Sequence, residues 1–283
     1  MLTLLARLED TTLINAFLTS ITAGGDYKGG DNDAIIAAVR LLPLKQATAV
    51  IEHIIAGNVA TSLCGCGNLL LGAVHAFPDG RFDKAAKRLV EAIPGLPNNE
   101  PSYRDERPNS DFVADLMMAL GKIDLGLSDR AADLILGSPK CYRLDGILVP
   151  ALCRFIGSET VTSLPVQRLL TACREHLGAR IAEPLEAPKD WRRASTLTCH
   201  CPHCNELGHF LDDPEQKRWA FKAAEAKRRH VKDTIRRSKS DVDVETDKQG
   251  RPYSLVCTKN QKSYNDRVRQ RKQDLADLAS LGS

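Results

Sequence analysis

Aromatic residues are scarce in this 283-residue chain, at 5% of positions, and no apolar run approaches the roughly 20 residues needed to cross a bilayer. The first shortage, beside abundant Leu and Ala, argues for helices over an extended sheet. The second predicts no membrane span. A disulfide framework is not expected either, because the cysteines number nine, an odd count. The opening residues 1–10 lack the basic start, long apolar stretch and small-residue cleavage site of a secretory signal. These absences together predict a reducing, cytoplasmic setting. No complete catalytic constellation stands out along the chain.

Charge is unevenly spread beneath a net formal value of +3. Residues 1–188 carry 18 Lys/Arg against 22 Asp/Glu, whereas residues 189–283 carry 21 against 14. The change of sign coincides with a stretch containing Pro184 and Pro188, which marks a boundary. The expected organisation is therefore a first domain over 1–188 and a second over 189–283.

The first domain reads as stacked helices. Ile35, Ile36, Val39 and Leu42 form an apolar stripe ended by Pro43, and Val50, Ile51, Ile54 and Ile55 form another, stopped by Gly57 and Asn58. Val166, Leu169, Leu170, Cys173 and Leu177 follow a capping Ser163, with Gly178 as the expected end. Further helical segments fall near 62–77, 82–93, 111–120, 128–136 and 147–155. The fold class is mainly α: a helical array or α-solenoid, followed by a small α+β module. Stretches starting at Leu127 and Leu164 lie about 37 residues apart, within the usual repeat range, but two weak copies define no repeat. Cys64 and Cys66, in Cys64-Gly65-Cys66-Gly67, are read as small residues that let a helix start pack closely.

Chemistry concentrates at Cys199-His200-Cys201-Pro202-His203-Cys204. Thiolates this close suit a structural zinc ion with four tetrahedral ligands. Cys201 and Cys204 have the two-residue spacer that lets one turn present both sulfurs, and Cys199 lies two residues back on the same side. The fourth ligand is expected from His230. Pro214 suggests a helix start, and a helix from 214 to about 237 aligns Trp219, Ala223, Ala226 and His230 on one face. Such a helix rises about 24 Å before reaching His230, so it must bend, start later or follow a chain that first travels away. Cys257 is the rival ligand. Val242, Val244 and Thr246 alternate, a turn follows at 248–252, and Tyr253, Leu255 and Cys257 alternate on return, predicting a β-hairpin. Glu206 is near enough in sequence to serve as a base in a catalytic zinc site, but four protein ligands favour a structural one. The His-x-Glu of zinc deaminases does not precede the cysteines.

Residues 214–239 hold ten Lys/Arg against three acids, and a second basic cluster spans 259–272. Such density can dock on phosphate, so nucleic acid is the alternative partner to a protein.

At Cys199, Cys201 and Cys204, Phe210-Leu211, Asp213-Pro214, Arg229-His230, and Gly250-x-Pro252-x-x-Leu255-Val256-x-Thr258-Lys259, the sequence resembles the C-terminal region of long microbial 2-oxoglutarate/iron(II) oxygenases of the prolyl-hydroxylase type. The resemblance covers about residues 189–270. It implies a non-catalytic appendage, supports Cys199, Cys201, Cys204 and His230 as ligands, and suggests an oxygenase domain as partner. Those oxygenases hold iron with His-x-Asp/Glu and a distal His. None of the seven histidines here has an acid two residues on, so no oxygenase activity is expected from this chain itself.

Overall fold

A computed structural model of the chain describes residues 10–23, 27, 29–95, 107–193 and 196–282. The signal-like features sought at the start of the chain fall mostly on residues 1–9, outside the described residues. Two compact units form: Met1–Arg180 together with Leu275–Ser283, and Ile181–Asp274.

Helices build the first unit: α1 (Thr11–Ala23), α2 (Asn32–Val39), α3 (Leu44–Asn58), α4 (Leu63–Ala76), α5 (Asp83–Ala92), α6 (Ser110–Ile123), α7 (Leu125–Gly137), α8 (Val149–Cys153) and α9 (Leu164–Ala182). Their starts follow from the sequence. Asp10 accepts the backbone N–H groups of Thr12 and Leu13, Asn109 accepts that of Phe112, and Asp124 those of Gly126 and Leu127. Each cap satisfies donors that the first turn leaves without partners. Packing is that of an array: α1 contacts α3, α2 contacts α4, α3 contacts α5, α4 contacts α6, and α5 contacts α7. Each of these helices thus lies against the one two places on. The stripes expected from periodicity are buried, among them Ile35, Val39, Ile51, Ile54, Ile55, Leu169, Leu170 and Leu177.

A polar thread crosses this apolar interior. Asn32 donates to the Gly65 carbonyl and to Asn68, Asn68 donates to the buried Asp115, and Arg154 reaches both Asp115 and Asp111. Buried polar groups are tolerable when partnered in this way.

Close packing at the start of α4 explains its glycines. A Cβ on Gly65 meets Ser62 Oγ at 2.6 Å and the Gly29 Cα at 2.9 Å. Gly178 differs, lying inside α9 with nothing within 4 Å of such a Cβ. It does not end the helix, which continues to Ala182. Gly65→Ala is expected to lower stability by about 2 kcal/mol through overpacking, and Gly178→Ala to raise it by roughly 0.5–1 kcal/mol. Urea denaturation of the two variants checks both signs.

The packing boundary falls at residue 180, inside the last turn of α9 and upstream of the charge boundary at 188. Residues 275–283 also group with the first unit, where Leu281 is buried and its carbonyl accepts from Arg174.

The second unit contains α10 (Pro202–Asp212), β1 (Arg218–Lys222), α11 (Glu225–Ser238), β2 (Val242–Asp247), β3 (Ser254–Lys259) and most of α12 (Lys262–Ser280). The strands form an antiparallel sheet in the order β1-β3-β2. Its register places Trp219, Cys257 and Val244 in one row and Phe221, Leu255 and Thr246 in the next. Alternation turns these rows to one face, where α10 and α11 cover them: Leu207, Phe210, Leu211, Val231 and Ile235 join Phe221, Leu255 and Cys257 in a single core. The opposite face carries Arg218, Thr258 and Asp243, then Lys222, Ser254 and Asp247. The hairpin forms as its alternation suggests, with Gly250 at φ 78° in the turn.

The single helix expected from Pro214 does not form. Asp213 instead closes a turn by accepting the N–H groups of Glu215 and Gln216. The chain then runs as β1, and the helix starts only at Glu225. Pairing with β3 on one side and burial of Phe221 outweigh the helix propensity of the segment.

Candidate metal centre

Three short pieces of chain converge on one point. The approach to Cys199 is tied down by the Trp191 N–H on the Pro214 carbonyl (2.9 Å) and the Arg193 N–H on the Leu211 carbonyl (2.8 Å). Arg193 is itself buried and donates to the carbonyls of Asn260, Asp190 and Arg192. Cys201 is the N-cap residue of α10, with Pro202 at the first helical position. Cys204 follows in the first turn, its N–H 2.9 Å from the Cys201 carbonyl. The two-residue spacer is thus a helix start and not an isolated turn. His230 projects from α11, whose start at Glu225 leaves about 7.5 Å of rise to the imidazole, not 24 Å. The conflict over reach disappears with the shorter helix.

The Nε2 of His230 lies 3.4 Å from the Sγ of Cys199, 3.5 Å from that of Cys201 and 3.2 Å from that of Cys204. All four ligand atoms fall within 4.8 Å of one another. One imidazole nitrogen has a single hydrogen or a single lone pair, so it cannot serve three sulfurs by hydrogen bonding. Vertices of a coordination polyhedron account for the spacing. With metal–sulfur bonds near 2.3 Å and metal–nitrogen bonds near 2.0 Å, a tetrahedron has S···N edges of about 3.5 Å. Cys199, Cys201, Cys204 and His230 can therefore hold a metal ion.

Electrostatics at the pair follow from position. The Cys204 N–H pulls the Cys201 thiol down to about 7, whereas burial pushes Cys204 up to about 11. A bound cation reverses the second effect, since a coordinating thiol is deprotonated. The Thr234 hydroxyl, one turn beyond His230, donates to the His230 carbonyl at 2.9 Å and lies 3.7 Å from Cys204 Sγ. Its one hydrogen goes to that carbonyl, so it neighbours the Cys204 sulfur without donating to it.

Cys257 takes no part in this cluster. It sits fully buried at the middle of β3, opposite Trp219 and Val244, with its thiol pushed up to about 12 by burial. The rival ligand is a core residue. His203 packs its ring against Phe221 at 5.2 Å and has Glu206 3.9 Å from Nδ1, so both stand beside the centre and outside it. Cys64 and Cys66 join no metal-ligand cluster among the described residues. A Cys-x-x-Cys at a helix start is also the setting of redox thiols. Here, however, the imidazole and a third sulfur complete a closed set, and no βαβ unit surrounds it.

Two features escaped sequence reading. Strand β1 carried its signal in the alternation of buried Phe221 and half-buried Trp219 with exposed Arg218, Ala220 and Lys222. The Lys259 side chain, fully buried, left no signal beyond its place in register with Leu255 and Cys257. No protein-family model matches the chain, nor does any curated protein or solved structure.

Proposed function

We propose that a zinc ion on Cys199, Cys201, Cys204 and His230 acts as the structural tie of a non-catalytic module in an interaction or accessory protein. The observation that carries this reading is three sulfurs within 3.5 Å of one imidazole nitrogen, a spacing that fits the edges of a tetrahedral site. Thiolates are soft ligands, and a tetrahedral set of three with one imidazole suits zinc better than magnesium or calcium. Four protein ligands leave no open position for water or substrate, so the ion supplies stability and not Lewis-acid chemistry.

The resemblance to the tail of 2-oxoglutarate oxygenases supports the accessory part of the proposal. The residues that carry it hold structural posts in this chain: Phe210, Leu211 and Leu255 lie in the core, Asp213 closes a turn, and Lys259 is buried. They build a module and form no active site, which fits an appendage working beside an oxygenase domain.

Metal analysis of the purified chain is expected to find one equivalent of zinc, falling to near zero in Cys201→Ser and His230→Ala and unchanged in Cys257→Ala. Retention of zinc by the first two variants rejects the ligand set. Capture of a 2-oxoglutarate oxygenase on the immobilised chain tests the accessory role.

A further inference from the structure

Cations in the second unit divide into those used internally and those left facing solvent. Lys259 donates to the Asp213 carbonyl, Arg228 to the carbonyls of Ala223 and Tyr253, and Lys217 lies over the Trp191 ring. On α12, Arg267 reaches Glu183 and the Pro184 carbonyl, Arg271 the Glu183 carbonyl, and Arg269 pairs with Asp266. Most of the second basic cluster is thereby occupied. On α11 the opposite holds. Arg229, Lys232, Arg236 and Lys239 are exposed and form no ion pair among the described residues.

These four residues share one stripe. At 100° per residue Arg229, Lys232 and Arg236 fall within an arc of about 60° and span about 10 Å of helix, and Lys239 follows as the C-cap with φ 51°. Beside the stripe lie two open recesses that have Lys232 in common. One, of 380 Å³, is lined by Arg228, Arg229, Lys248 and Tyr253; the other, of 460 Å³, by Arg236, Lys239 and Lys262. Together they make a basic groove between α11 and the β2–β3 hairpin. Glu225 is the one acid on the stripe, at its N-terminal end. Of the three acids bordering the second recess, Asp241 is bound to the N–H and hydroxyl of Ser263 and Asp266 to Arg269, and Asp243 stands as one acid against Lys232, Arg236, Lys239 and Lys262. Tyr253, half-buried with the Arg228 guanidinium 5.4 Å from its ring centroid, places an aromatic ring at one end.

We infer that this groove binds the phosphodiester backbone of a nucleic-acid strand. A row of uncompensated cations in a groove with a ring at its end is the arrangement that tracks a single strand and stacks a base. A membrane surface fits less well, because exposed apolar residues that insert among headgroups do not accompany the stripe. The inference goes beyond the zinc proposal, which concerns the other face of the same helix.

The test uses the full metal-loaded chain and fluorescence anisotropy with labelled 20-nucleotide oligothymidine and oligouridine. Four phosphate contacts predict a log–log salt slope of about −3, hence roughly fiftyfold weaker binding at 200 mM than at 50 mM salt. Arg229→Gln, Lys232→Gln, Arg236→Gln and Lys239→Gln together are expected to weaken binding at least thirtyfold at 50 mM salt and flatten the slope. Lys222→Gln, Lys227→Gln, Arg237→Gln and Lys272→Gln remove the same charge elsewhere and should change affinity less than threefold. Equal losses in both variants overturn the groove, as does absence of oligonucleotide binding, or stripe-dependent binding of anionic vesicles or polyglutamate in place of oligonucleotide. Zinc content measured on each variant separates a failure of the groove from a failure of the metal centre.

Discussion

With the proposed zinc ion on Cys199, Cys201, Cys204 and His230, removing that ion is expected to unfold the second unit while the helical first unit stays folded. The second unit has a small core, eight buried residues with five partly buried ones against it. Units of that size depend on staples such as metals. The four residues come from the approach segment, the start of α10 and the middle of α11, so coordination would join three pieces that are otherwise held by that core and by the hydrogen bonds of Trp191 and Arg193. For structural zinc sites the binding free energy, about 10–16 kcal/mol at neutral pH, appears as folding free energy. Both tryptophans of the chain, Trp191 and Trp219, belong to this unit. Trp219 packs between Phe210 (5.6 Å) and Phe221 (5.3 Å). Tryptophan emission therefore reports the second unit alone, while far-ultraviolet circular dichroism is dominated by the helices of the first. Chelation, or His230→Ala, should shift the emission to the red and leave most of the helical signal. Unchanged emission in a protein shown to be metal-free contradicts the structural role. Cys257→Ala, which removes one buried sulfur and no ligand, should lower stability by about 1–2 kcal/mol without altering metal content.

The meeting of Cys199, Cys201, Cys204 and His230 was readable because thiols and an imidazole at these spacings have few other uses, and identity alone marks them. The path between them was not readable. Residues 214–224 mix strand formers, Trp219 and Phe221, with helix formers, and local propensity does not record that β3 lies forty residues on and offers an open edge. The hairpin was legible because both of its strands alternate and their turn is adjacent in sequence. The helical array was legible from its stripes, but its ends were not: Gly178 could stop a helix by composition, and only the following turn shows that it does not. The charge boundary lies at 188, whereas the packing units divide after Arg180 and again after Asp274. It marked where composition changes, while the packing boundary lies in the last turn of α9, and Leu281 belongs with the first unit. Basic clusters were visible as density, but whether each cation faces solvent or a carbonyl depends on tertiary neighbours.

Lys259→Ala is expected to be among the most damaging single substitutions outside the metal ligands. Lys259 stands on the core face of β3, two residues past Cys257, and has no exposed surface. Its Nζ donates to the Asp213 carbonyl at 2.7 Å and lies 4.6 Å from the centre of the Phe210 ring. Asp213 is the C-cap of α10, so the ammonium sits at a helix C-terminus, where a cation is favoured. The side chain thus joins the far end of the cysteine-bearing helix to the sheet. Truncation removes a stem comparable to a buried Met, and leaves the carbonyl without its donor; together these should cost about 4 kcal/mol. Lys259→Met keeps the stem and removes a charge whose burial is unfavourable, so its loss should be nearer 1 kcal/mol. Burial lowers the Lys259 ammonium from its ordinary value of 10.5, opposed by the Asp213 carboxylate. The unfolded chain therefore holds this proton more tightly, and stability rises with pH from the lowered value up to 10.5. Below that window the charge-burial cost is present in full. Relative to Lys259→Met, the wild-type chain should gain stability across the alkaline limb, read as a diverging pair of urea midpoints. Parallel midpoints, or an Ala variant no less stable than Lys272→Ala, would mean that Lys259 does not join α10 to the sheet.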